Sequence, residues 1–116
     1  MPETALIDWH QLDTVREECG EAIADIFREF VAEYPDHHAR FAQALAAQDP
    51  RLASKAAHQL KGSSANFGMI ALVAAMQEIE SEADRGQLPS PARLEEVKDL
   101  FNDSVRLIQQ DRPDLA

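Results

Sequence analysis

At 116 residues and a net charge of -10, the chain is long enough for one domain with its own core, and its acidic balance argues against a nucleic-acid partner, which needs a basic footprint. Hydrophobic residues make up 45% against 28% charged, so the sequence is globular rather than disordered. No apolar run approaches the roughly 18 residues needed to span a bilayer and no basic-then-apolar leader opens the chain, so no membrane partner is expected and the cytoplasm is the expected location.

The single Cys19 has no disulfide partner within the chain and no CxxC neighbour for zinc. It reads as a small, partly buried hydrophobe. Asp8 reads as the N-cap of a short helix through about Glu18, with Trp9, Leu12 and Val15 as its apolar stripe and Trp9 covering the end of a bundle. Gly20 then interrupts the chain. From Glu21 to about Ala47 runs a long helix with Ile23, Ile26, Phe27, Phe30, Tyr34, Phe41 and Leu45 on one face. Pro35 lies in its middle, where it should kink the helix or cost a hydrogen bond, but the apolar register continues past it. One kinked helix is expected rather than two. His37 and His38 raise a metal reading that fails on geometry, because adjacent residues diverge by about 100° and Arg40 and Phe41, one turn on, cannot ligate. They read as surface or partly buried polar positions.

Asp49 as N-cap and Pro50 as first residue open a third helix that ends near Gly68. A fourth, from about Met69 to Arg85, carries Ile70, Val73, Met76, Ile79 and Ala83 inward and closes at Gly86. Ser90 and Pro91 open the last helix, whose Leu94, Val97, Phe101, Val105 and Ile108 point inward until Arg112-Pro113 ends it. No strand signal or internal repeat appears. The prediction is therefore an all-α fold, an antiparallel up-down four-helix bundle with a short additional N-terminal helix over one end. Residues 1–116 form a single domain in this reading, with 1–6 and 112–116 as loose tails.

The chain is organised around the third helix. At about 100° per residue, setting His58 at zero places Leu52, Ala53, Ala56, Leu60, Ser64 and Phe67 between about 120° and 240°, an inward face that points His58 outward. Ser64, on that inward face, is expected to bond a backbone carbonyl one turn back. Within about 60° of His58 lie Arg51, Ser54, Lys55, Lys61, Gly62 and Ala65, so three of the eleven Lys and Arg residues share this face. A free imidazole titrates near pH 6.5, so near neutrality one ring nitrogen keeps a nucleophilic lone pair. Exposed on a rigid helix, His58 can take up a phosphoryl group and pass it on. Lys61, one turn along, can balance the roughly -1.5 to -2 charge such a group brings. Gly62 costs about 0.5 to 1 kcal/mol relative to Ala inside a helix, and close approach of a partner is a reason to tolerate it.

The run His58-x-Leu60-Lys61-Gly62-Ser63-Ser64-x-x-x-Gly68, followed by Leu72 and Ile79-Glu80, resembles the histidine-containing phosphotransfer (HPt) domain of two-component phosphorelays. The resemblance extends from about Ile7 to Ile108 and includes the Asp49-Pro50 helix entry. It implies that His58 is phosphorylated, that Lys61 assists the phosphoryl group, and that Gly62 gives access to a receiver domain's aspartate. The implied partners are response-regulator receiver domains and a hybrid sensor kinase, with Mg²⁺ belonging to the receiver and no cofactor in this chain. Arg51, Ser54, Lys55, Ala65 and Met69 would form the receiver-docking face. Gln59 stands where Thr is frequent and Met69 where Ala is frequent, which leaves the chemistry intact and bears on partner preference.

No Gly-rich phosphate loop and no Asp-Asn metal cradle is recognisable, so the expected role is a phosphohistidine carrier without kinase activity of its own. The start at Met1 points to a free-standing protein, with a domain of a hybrid kinase as the other possibility, and four mutually satisfied apolar faces point to a monomer. Two other readings stand beside the relay. One is a module of the same fold that regulates a receiver or kinase by docking without transfer. The other is an adaptor bundle in which His58 is merely an exposed polar residue.

Overall fold

The structure, a computed structural model, describes residues 5–115. They form α1 (Trp9–Cys19), α2 (Ala22–Ala47), α3 (Pro50–Ala65), α4 (Ile70–Asp84) and α5 (Pro91–Asp111), followed by a single 3₁₀ turn at Pro113–Leu115. The expected starts hold for a common reason, an oxygen side chain in extended backbone taking an orphan N–H of the first turn. Asp8 accepts from Gln11 N at 3.1 Å, Asp49 from Arg51 N at 3.0 Å and Ser90 from Arg93 N at 3.0 Å. α2 runs unbroken through Pro35 as a single helix. Its far end reverses into α3 within two residues because Gln48 adopts a left-handed φ of 52°, letting Gln48 N and Asp49 N bond back to the carbonyls of Leu45 and Ala44 at 3.1 and 3.0 Å. Connections this short leave α2 to α5 as an antiparallel up-down bundle.

Aromatic rings tie the layers together. Phe67, just past α3, meets Phe27 edge-on and Phe30 stacked, both at 5.1 Å between centroids. Phe101 of α5 lies 5.5 Å from Phe30 and stacks on Tyr34 at 4.0 Å. Burial raises the Tyr34 hydroxyl to about 12, with Glu95 and Asp99 adding to the rise. Leu60, Leu72, Met76, Ile79, Val97 and Ile108 fill the rest of the main core.

Several expected inward positions are turned outward. Ile70 is 42% exposed, because successive steps of three residues drift back about 60° each and by Ile79 have accumulated half a turn. The buried stripe of α4 is instead Leu72, Ala75, Met76, Ile79 and Ala83. Leu52, 39% exposed, lies at the edge of an α3 face centred between Ala56 and Ala57. Ile26, 43% exposed, borders a shallow groove with Ser63 and Asn66 where α3 is ending. His37 is buried rather than at the surface; burial lowers its pKa, and its Nδ1 sits 3.2 Å from the Arg40 guanidinium. Cys19 is exposed at the end of α1, where the helix has run past the core.

The expectation of a loose C-terminal tail is corrected. Leu115 is fully buried, and the turn that carries it is fastened to α1 by charge pairs. Arg112 makes two bonds to Asp13, at 2.9 and 2.8 Å, and Arg16 reaches Asp114 at 2.6 Å and Asp13 at 3.1 Å. The Arg112 guanidinium also lies 4.8 Å from the ring of Trp9, which is half-buried over the end of the bundle as expected. Residues 1–4 and Ala116, the rest of the expected tails, lie outside the described residues, while Leu6 packs partly against the core. Among the described residues no helix is long and apolar enough to cross a membrane.

Candidate functional site

α3 holds His58 outward for the reason its sequence suggests. Ala53, Ala56, Ala57, Leu60 and Ser64 are buried, with Ser64 Oγ donating to the Leu60 carbonyl at 2.6 Å. The opposite face is left to solvent, and the His58 side chain is 70% exposed. The end of this helix is pinned at Gly68, whose carbonyl accepts from Asp8 N at 2.7 Å. Gly68 has a φ of +67°, and a Cβ there would run into the Asp8 carbonyl, so both backbone conformation and close approach require glycine.

What the sequence reading left without a role is Glu80 on α4. Its side chain, 17% exposed, lies between the two residues singled out on α3. Glu80 Oε2 is 3.0 Å from His58 Nδ1, and Glu80 Oε1 accepts from Lys61 Nζ at 2.6 Å. Lys61 Nζ also donates to Gln77 Oε1 at 3.0 Å. The Lys61 hydrogen bond holds the Glu80 carboxyl below its usual range, burial opposes this, and His58 adds to the lowering. An ionised carboxylate only accepts hydrogen bonds, so Nδ1 of His58 carries the proton and donates it to Glu80. The other nitrogen, Nε2, is thereby the one that keeps a lone pair, and it makes no hydrogen bond among the described residues. The spacing of Glu80 was visible within the family-like run, but no local rule brings residues 22 apart together; the packing of α4 on α3 does.

The remaining predicted residues divide. Arg51, Lys55, Gly62 and Ala65 are exposed on the His58 face. A Cβ at Gly62 would meet no heavy atom within 4 Å, so the room kept open there is solvent space beside His58 and concerns an approaching molecule, not the chain's own packing. Ser54 is half-buried and donates to Asp84 Oδ1 at 2.7 Å. Met69 is fully buried in the main core and cannot belong to a docking face, because the loop after α3 turns inward at Gly68, whose carbonyl is bonded by Asp8 N. His58 opens into a groove of about 530 Å³ shared with Arg51, Ser54, Lys55, Gln59, Glu80, Ala83 and Asp84.

The arrangement offers one exposed nitrogen nucleophile whose ring is oriented from behind by a carboxylate, itself held by a lysine. Comparison with known proteins bears on the fold and the family. The chain resembles the crystal structure of histidine-containing phosphotransfer protein B (HptB) from Pseudomonas aeruginosa PAO1, with a TM-score of 0.85, 27% sequence identity, and coverage of 96% of this chain and 97% of that one. No curated protein sequence matches. The family model of the Hpt domain matches residues 25–110, a span that contains His58, Lys61, Gln77 and Glu80. With most of its length so matched, the chain belongs to the Hpt domain family, whose members carry phosphoryl groups in phosphorelays.

Proposed function

We propose that His58 Nε2 accepts a phosphoryl group from the aspartyl phosphate of a receiver domain and later surrenders it to the aspartate of a second receiver. The observation that carries this reading is the ring's division of labour, with Nδ1 tied to Glu80 and Nε2 left free on an exposed helix face. In the forward step the Nε2 lone pair attacks phosphorus, the P–O bond to the donor aspartate breaks, and that carboxylate leaves. The Nδ1 proton stays on the ring, so the positive charge that forms as Nε2 gives up its pair faces the Glu80 carboxylate. Transfer onward is the same step reversed, with no proton gained or lost. Positioning dominates such transfers, and a nucleophile on a packed helix is held accordingly.

The partners in this reading are response-regulator receiver domains and a hybrid sensor kinase, the receivers supply Mg²⁺, and the protein acts in the cytoplasm as a monomeric carrier rather than as a kinase. Lys61 contributes by keeping Glu80 ionised and in place. The test is transfer from a phosphorylated receiver. Label that is acid-labile and base-stable, and absent from a folded His58→Ala variant, supports phosphohistidine at this position. Label retained by His58→Ala would overturn the assignment, and binding without label across a broad panel of receivers would convert the protein into a docking module.

A further inference from the structure

We propose that Lys55, one turn before His58, is the cation that meets the phosphoryl group on Nε2. The inference rests on His58 being the phosphoacceptor and assigns the electrostatics of that site. Lys61 is the cation the sequence favours, but its ammonium is already shared between Glu80 Oε1 at 2.6 Å and Gln77 Oε1 at 3.0 Å. Its charge is therefore offset by Glu80 before any phosphoryl group arrives.

The direction of the His58 side chain points the same way. Side chains on an α-helix lean toward its N-terminus and cover the preceding turn. His58 accordingly lines a groove with Arg51, Ser54 and Lys55, and neither Lys61 nor Gly62 borders it. Two carboxylates, Glu80 and Asp84, also face this groove. Both are acceptors only and offer no donor to a dianion; Glu80 is already paired with Lys61, and Asp84 takes the Ser54 hydroxyl at 2.7 Å, so the serine's proton is used as well. Of the two cations on the groove, Arg51 lies 3.8 Å from Asp49 and two turns from His58. Lys55 is exposed, three residues from His58, and makes no ion pair or hydrogen bond among the described residues. It stands on the ridge between this groove and a second one lined by Arg40, Gln43, Leu52, Ala56 and Gln59, free to swing over the imidazole.

Phosphoramidate provides a test that needs no protein partner. Nε2 attacks phosphorus, the donor's P–N bond breaks, and ammonia leaves from the –NH₃⁺ form, so the phosphorylated ring retains its Nδ1 proton. The readout is the pKa of the phosphoryl group on His58, followed by ³¹P NMR, in the wild type and in Lys55→Gln, Lys61→Gln and Lys98→Gln. Lys98, exposed on α5, controls for the loss of one charge anywhere on the molecule.

Lys55→Gln is expected to raise the phosphoryl pKa by about half a unit and to slow labelling about three- to tenfold. Lys61→Gln is expected to slow labelling through Glu80 while leaving the phosphoryl pKa within about 0.1 unit of the Lys98→Gln control. A shift with Lys61→Gln and none with Lys55→Gln would overturn the proposal, and so would no shift with either. If the wild type takes no label on His58 from phosphoramidate or from a phosphorylated receiver, the phosphoacceptor reading itself fails and the Lys55 assignment falls with it.

Discussion

Two charge networks join distant parts of this chain, and their difference separates holding from acting. The terminal network, Asp13 and Arg16 with Arg112 and Asp114, has two anions and two cations in mutual contact. The central one, His58 with Lys61 and Glu80, is balanced in charge but open at one atom, Nε2. The first fastens a turn carrying the buried Leu115 to α1, and all four of its charged residues lie outside the span 25–110 matched by the Hpt family. The second lies wholly within that span. A closed network has nothing left to offer a ligand, whereas one that leaves a nitrogen lone pair facing solvent offers a reaction.

The largest effect that would sharpen this contrast is expected from Glu80→Gln. It keeps the side chain's shape but removes the charge facing Nδ1, and should slow phosphoryl uptake by His58 about ten- to hundredfold. Its melting temperature should stay within about 2 °C of the wild type, since the change from carboxylate to amide removes a charge shared by His58 and Lys61 but no packing volume. Wild-type uptake in a folded Glu80→Gln protein would erase the distinction between the networks.

Next comes Arg112→Ala, which removes two hydrogen bonds to Asp13 and the contact with Trp9. Thermal unfolding should shift down by about 2–6 °C with uptake unchanged. A change in uptake larger than twofold would show that the terminal clamp reaches the site after all, through Asp8 and Gly68.

The smallest effect is a matter of pH. The Arg112 hydrogen bond, assisted by Arg16 and opposed by desolvation, lowers Asp13 from 3.8 to about 2. A carboxyl whose pKa is lower in the folded state binds its proton more readily when unfolded, so the clamp contributes fully above 3.8 and loses that contribution as pH falls toward about 2. The difference in melting temperature between wild type and Asp13→Asn should therefore be flat at neutral pH and close across that acid window. A gap that persists at the bottom of the window would mean that shape, not charge, is what Asp13 supplies.

Legibility followed the range of the interaction. Caps at Asp8, Asp49 and Ser90 were readable because an N-cap acts over two or three residues. The apolar positions of α5 are legible because steps of three, four, four and three return to one face, where the buried Ser104 is the one unforeseen member, while the expected α4 stripe starts half a turn off because a run of threes drifts. Met69 was placed on the docking face by its neighbours in sequence, and the inward turn at Gly68 buried it.

The sequence by itself determined the helices, the outward setting of His58 and the family, since helical periodicity and a motif within eleven residues are local properties of the chain. Only the tertiary structure decided which ring nitrogen is free, that Lys61 serves Glu80, and that the C-terminal turn is fastened to α1. Each of those depends on a contact between residues 19 to 99 positions apart, and such contacts exist only once packing has brought separate helices to hydrogen-bonding distance.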